Sequence, residues 1–317
     1  MLRGAQTGLC RSSRAVLRRR GRGLHSSTVV ARNRLLLEAS ELQEDGETLF
    51  AQLQAGDARS THLSEVLRLP ASVPGRTLRV GVVNSFRADA AVSGSPADGW
   101  RLSWKKDDSL PVLPPPAVDV LLALPRPKVM RRLWLPLAAL GVGVLYVTNA
   151  SRVERNYFDS DVSDSAAVRE QLLRGLEMAG DTRLPPVLLS RRLPPVADFA
   201  RGVRSLEEAR LLPTPDWAEW LVDGELPPKP TVTLIAHPGQ GNPGVGPALR
   251  AAGLSSLGDT RVLLAIGPEG GWTHHELDLL MASPGCSSMV SLGPRVLDTT
   301  TATIALLAAL REAQGWT

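Results

Sequence analysis

From Val118 to the C-terminus, short continuous apolar runs alternate with segments of helical spacing. This alternation constrains the fold more than any other feature of the chain. Val118–Leu124 (VDVLLAL) reads as a buried strand and Lys128–Leu140 as a helix that Pro136 must kink or interrupt. Val142–Thr148 is a second strand and Ser165–Ala179 a second helix. Thr231–Ala236, Arg261–Ile266 and Ser288–Leu292 are further strands, with helices over Thr273–Met281 and Thr300–Ala313. Strands that take turns with helices form a mostly parallel sheet covered on both faces, so the C-terminal part is α/β. Asp198–Trp220 reads as a helix with a Pro-interrupted tail, and Gly239–Pro247 as a loop.

The N-terminal part is built differently. Leu49–Leu53 and Thr77–Val83 are β-rich, with His62–Leu69 at helical spacing between them, and a small β-barrel is the expected form. Ser109–Pro116 (SLPVLPPP) breaks regular structure. The expected organisation is a leader over 1–31, a barrel over 32–112 and an α/β domain over 117–317.

The leader follows from composition. No acidic residue occurs before Glu38, whereas seven arginines lie among Ser, Leu and Ala in residues 1–31. That is the composition of an organelle transit peptide, for the mitochondrion first and the chloroplast as the alternative. The chain carries 36 Lys+Arg against 32 Asp+Glu; without residues 1–31 the balance is 29 against 32. A polyanionic partner must then be met by a local basic patch. No apolar run is long enough for a membrane span, and Cys10 and Cys286 cannot form a cysteine zinc site.

Four segments are candidate sites. Gly239–Gly244 matches G-x-G-x-x-G in form, but Pro243 removes an N–H from the loop, and Asp259 precedes its strand rather than ending it. A surface loop explains it better. His274 and His275 are adjacent on a helix and point about 100° apart, so they do not grip one metal; Thr273 and Glu276 there form a capping box. The loop Ile266-Gly-Pro-Glu-Gly-Gly-Trp272 leaves a buried strand and enters that capped helix, and its three glycines allow a ligand to approach main-chain atoms. Leu292-Gly-Pro-Arg-Val-Leu-Asp-Thr-Thr-Thr301 also leaves a strand, so the two loops can pinch a flat ligand.

These last two motifs, IGPEGGW and SLGPRVLDTTTATIALLAAL, closely resemble the RsmE family of methyltransferases, which act on N3 of a uridine in small-subunit ribosomal RNA. The resemblance is strongest over 261–312, and LALPRPKVMRRLWLPLAALGV and LEMAGDTRLPPV extend it over 118–188. It implies a SPOUT-type, trefoil-knotted, mostly parallel sheet after a small PUA-like β-barrel, S-adenosylmethionine as cofactor and a homodimer, with no metal. By motif position, Ile266, Gly267, Pro268, Gly270 and Gly271 line one side of the cofactor. Leu292, Gly293, Val296 and Leu297 line the other, with His237 close by. Arg295 is the candidate catalytic residue, and Arg68, Arg152 and Arg183 the candidate RNA contacts.

The chain departs from the family at Asp298 and Thr300, where an arginine and a glutamate are usual. An anion beside the reacting uracil opposes formation of a negative charge there, by about 1–4 kcal/mol at 4 Å. Three readings follow: an active uridine-N3 methyltransferase, a relative that binds RNA without methylating it, and an enzyme with another RNA target.

Overall fold

The computed structural model describes residues 34–69, 76–114, 116–160, 162, 164–190, 231–239, 241–254, 261–282 and 286–313. The leader, the Asp198–Trp220 segment and Asp259 lie outside them.

Seven strands form the first sheet: β1 (Leu35–Leu37), β2 (Leu42–Asp45), β3 (Thr48–Leu53), β4 (Thr77–Val82), β5 (Phe86–Ser95), β6 (Gly99–Lys105) and β7 (Leu110–Pro111). Their pairing runs β1-β4-β5-β6-β3-β2, with β7 on β5; only β1 and β4 are parallel. Gly46 holds φ +59° in the two-residue turn between β2 and β3, a position that favours glycine. Period-two alternation turns Leu49, Ala51 and Leu53 of β3 and Trp100, Leu102 and Trp104 of β6 into one core. The helix expected over His62–Leu69 is displaced. It starts at Ala58, where Asp57 caps α1 (Ala58–Thr61), and passes through a wider turn that ends at Val66. The break at Ser109–Pro116 contains the bridge β7.

The second sheet has six parallel strands: β8 (Val118–Ala123), β9 (Leu145–Thr148), β10 (Val187–Ser190), β11 (Val232–Ala236), β12 (Val262–Ile266) and β13 (Cys286–Val290), ordered β10-β9-β8-β12-β11-β13. Every residue of β8, β9 and β12 is buried, as in a parallel sheet covered on both faces. The covering helices are α2 (Pro127–Ala139), α3 (Ser165–Ala179), α4 (Val245–Ala251), α5 (His274–Met281) and α6 (Thr299–Ala313). Three expectations shift. Strand β9 starts at Leu145 rather than Val142, β13 ends at Val290 so that Leu292 lies in a loop, and the Gly239–Pro247 loop gives way to α4 at Val245. Pro127 sits at the start of α2, where its missing N–H costs nothing, and Pro136 lies inside it.

Strand β1 belongs to both bodies. Leu35 and Leu37 enter the core of the first sheet, while Leu36 enters the core of the second. The Arg34 N–H donates to Glu177 O at 3.0 Å. Asn84 donates its N–H to Thr182 O at 2.8 Å and accepts the Leu184 N–H at 2.8 Å. Gly81 has no room for a side chain, because a Cβ would collide with Thr182.

Candidate functional site

Because β11, β12 and β13 run parallel and in register, their last residues lie side by side: Ala236 opposite Ile266 on one flank and Val290 on the other. Three loops therefore leave the same edge of the sheet together. Between them lies a cleft of about 380 Å³, within the range of small-molecule sites. His237 and Pro238 follow β11, Ile266 ends β12 and Gly267–Trp272 follow it, and Ser291, Leu292 and Arg295–Leu297 follow β13. The floor includes Thr299, Ala302 and Leu306 of α6.

Nine of the ten expected cofactor residues line this cleft, with Gly293 the exception. Its φ of +106° instead shapes the turn, where the Ser291 hydroxyl accepts the Gly293 N–H at 3.2 Å. Arg295 and Arg152 are exposed on the cleft wall. Arg68 and Arg183 are elsewhere. Arg68 ends the turn after α1 with φ +50°, and the Arg183 Nε donates to Leu113 O at 2.9 Å, tying the inter-sheet linker to the segment after α3. Thr299, Ala302 and Leu306 carry a signal that sequence reading passed over. Their three- and four-residue spacing marks one face of α6.

Two buried polar atoms of cleft-lining residues lack a partner: His237 Nδ1 and Trp272 Nε1. Buried polar groups are normally satisfied, so these two atoms of the cleft lining are candidates for hydrogen bonds to a ligand. The His237 backbone is fixed, donating to Val290 O at 3.0 Å and accepting from Asn242 Nδ2 at 3.1 Å. The glycine loop is packed closely by two other cleft-lining side chains. A Cβ on Gly267 would stand 3.1 Å from Trp272 Nε1, and one on Gly270 would stand 3.0 Å from Arg152 Cδ; Gly271 holds φ +72°. The loop thus needs glycine at 267 and 270 for its packing against the protein itself.

Asp298 does not line the cleft. Its carboxylate accepts the N–H and hydroxyl of Thr301, which hold its carboxyl below the ordinary value. It caps α6 as an ionised group. His274 and His275 are exposed on the first turn of α5, and among the described residues no three His, Cys, Asp or Glu side chains are grouped to hold a metal.

Fold and cleft together define an open α/β protein that takes a small ligand at the carboxyl ends of its strands. The model of the RNA methyltransferase domain family matches residues 113–311, most of the chain, and the chain belongs to that family. It is 26% identical over 269 residues to the ribosomal RNA small subunit methyltransferase E of Treponema pallidum, covering 84% of this chain and 87% of the relative. The fold is shared with methyltransferase E of Neisseria gonorrhoeae, solved bound to S-adenosyl methionine (TM-score 0.59, 16% identity, 90% and 99% of the two chains). It is shared also with Legionella pneumophila Lpg2936 in complex with the same cofactor (TM-score 0.57, 19% identity, 88% and 97%).

Proposed function

We propose that this chain transfers a methyl group from S-adenosylmethionine to N3 of a uridine in small-subunit ribosomal RNA, and that it does so in the mitochondrion. The observation that carries the cofactor assignment is the glycine-walled cleft with its unpartnered His237 Nδ1 and Trp272 Nε1. Support for the cofactor comes also from the bound S-adenosyl methionine of the two structural neighbours, and support for the RNA class from the Treponema relative. The residues present fit the cofactor. Main-chain atoms of the 267–271 loop, with Leu292 and Leu297, would hold the cofactor, and His237 Nδ1 and Trp272 Nε1 would hydrogen-bond its polar groups.

When bound, S-adenosylmethionine supplies an electrophilic methyl group. The chain's own part is positioning and charge. In the transfer the proton of uracil N3 would pass to solvent and the demethylated cofactor would leave, and the Arg295 and Arg152 guanidinium groups on the cleft wall would favour the anion and hold the RNA backbone beside it. Asp298 lies outside the cleft lining, its carboxylate held by Thr301, which favours the active enzyme over a relative that binds RNA without methylating it.

The first sheet, over 32–112, serves as a PUA-like RNA-binding barrel, and 117–317 as a SPOUT domain whose cofactor loops are knotted. A homodimer is supported by Leu292 and Val296 of the cleft, large apolar side chains exposed by 39% and 86%, and by Ile304 of α6, exposed by 37%. Mitochondrial import is supported by the acid-free, arginine-rich residues 1–31.

Calorimetric titration of the purified chain with S-adenosylmethionine tests the cofactor reading, and absence of heat at high micromolar ligand overturns it. Loss of 3-methyluridine from mitochondrial small-subunit RNA in a knockout tests the target. An unchanged modification map rejects that target.

A further inference from the structure

Glu276 is buried in the first turn of α5, and its two carboxylate oxygens have different partners. Oε2 completes the capping box, accepting the Thr273 N–H at 2.7 Å and the Thr273 hydroxyl at 2.9 Å. Oε1 is surplus to the box. It accepts the N–H of Ser151 at 2.6 Å, in the loop that leaves β9, two strands away from β12.

The next residue turns back toward the cofactor loop. The Arg152 guanidinium donates to Gly270 O, and its stem fills the space beside Gly270, with Cδ and Cβ at 3.0 and 3.2 Å from where a side chain would begin. A closed circuit results: Glu276 holds Ser151, Arg152 reaches Gly270, and the chain from 270 to 276 completes the ring. The far side of the loop is tied separately, as Glu269 Oε1 accepts the Arg126 N–H at 3.1 Å at the start of α2. Burial by itself would push the Glu276 carboxyl up, but the donors from Thr273 and Ser151 outweigh it, so the group stays an acceptor at neutral pH.

We propose that Glu276 is a positioning residue of the cofactor site, acting through Ser151 and Arg152 to hold the 267–271 loop at the spacing the ligand requires. A helix cap alone has no use for the bond to Ser151. The circuit couples the exit of β9, which carries an exposed arginine suited to RNA, to the loop that lines the cleft. The inference rests on the reading that this cleft takes S-adenosylmethionine.

The test uses the full chain and four variants: Glu276→Gln, Arg152→Ala, the double variant, and Asp164→Ala, which removes the α3 cap remote from the site and controls for loss of stability alone. Glutamine keeps the shape but offers one acceptor oxygen where two are needed. In calorimetry with S-adenosylmethionine, Glu276→Gln and Arg152→Ala each bind about tenfold more weakly, the double variant binds no more weakly than the worse single, and Asp164→Ala binds normally. Hydrogen exchange of the free proteins reads the circuit without ligand: peptides over 266–272 exchange faster in both single variants. Wild-type affinity in a folded Glu276→Gln, or losses that multiply in the double variant, overturns the circuit. If the wild type itself does not bind, the cofactor reading fails, and unchanged exchange in Glu276→Gln then overturns the circuit independently.

Discussion

The Asp298 carboxylate accepts the backbone N–H of Thr301 at 3.1 Å and its hydroxyl at 2.6 Å. Asp298 therefore starts α6 and is not part of the cleft lining. Asp298→Ala is expected to lose about 1 kcal/mol of stability in denaturant unfolding, whereas Asp298→Asn keeps most of it. Methyl transfer to RNA should survive Asp298→Asn. A collapse of turnover in that variant, with stability intact, would place the charge in the chemistry after all.

Gly270 and Gly271 should respond differently to substitution. A Cβ on Gly271 meets only Arg152 Nη1, at 3.8 Å, so Gly271→Ala pays backbone strain at φ +72°, roughly 1–2 kcal/mol. Gly270→Val instead displaces the Arg152 stem and breaks its bond to Gly270 O. Calorimetry should find cofactor binding weakened by more than about tenfold in Gly270→Val, with Gly271→Ala visible first in thermal melting.

Trp272→Phe removes an indole N–H that has no partner in the free protein. Burying that N–H unpaired is unfavourable, so the variant should melt no lower than the wild type apart from packing loss. Its affinity for S-adenosylmethionine should fall about tenfold. Unchanged affinity would mean that the indole nitrogen does not meet the ligand.

Asp119 and Arg261 form a buried pair tying β8 to the residue before β12, at the edge of the sheet opposite the cleft. Asp119 Oδ2 accepts Arg261 Nε at 2.7 Å and Oδ1 accepts the Val144 N–H at 2.7 Å, while Arg261 Nη1 donates to Pro116 O at 2.9 Å. Asp119→Ala strands a buried guanidinium and should cost about 3–5 kcal/mol in denaturant unfolding. A cost below 1 kcal/mol would show that water reaches the pair.

Acid should act on the first sheet through Arg59. Its guanidinium holds the Asp57 carboxyl below its ordinary 3.8; burial would raise Glu41, but Arg59 and the Glu38 N–H outweigh it and keep it below 4.5. Carboxyls lowered in the folded state contribute stability above their ordinary values and lose it as pH falls through the folded ones. Melting temperature should therefore drop as the pH falls below those values, and Arg59→Ala should flatten that drop.

The sequence by itself determined the elements that local chemistry specifies. Continuous apolar runs marked β8 and β12, and the Thr273–Glu276 box fixed the start of α5, because burial pattern and capping act within a few residues. The two Gly-Pro loops were legible for the same reason. Only the tertiary structure decided what meets what. That Glu276 reaches Ser151 across 125 residues and that Leu36 enters one core while its neighbours enter another depend on strand order and register. Parallel pairing brings distant loops to one sheet edge, and no pattern within a single segment encodes which loops those will be.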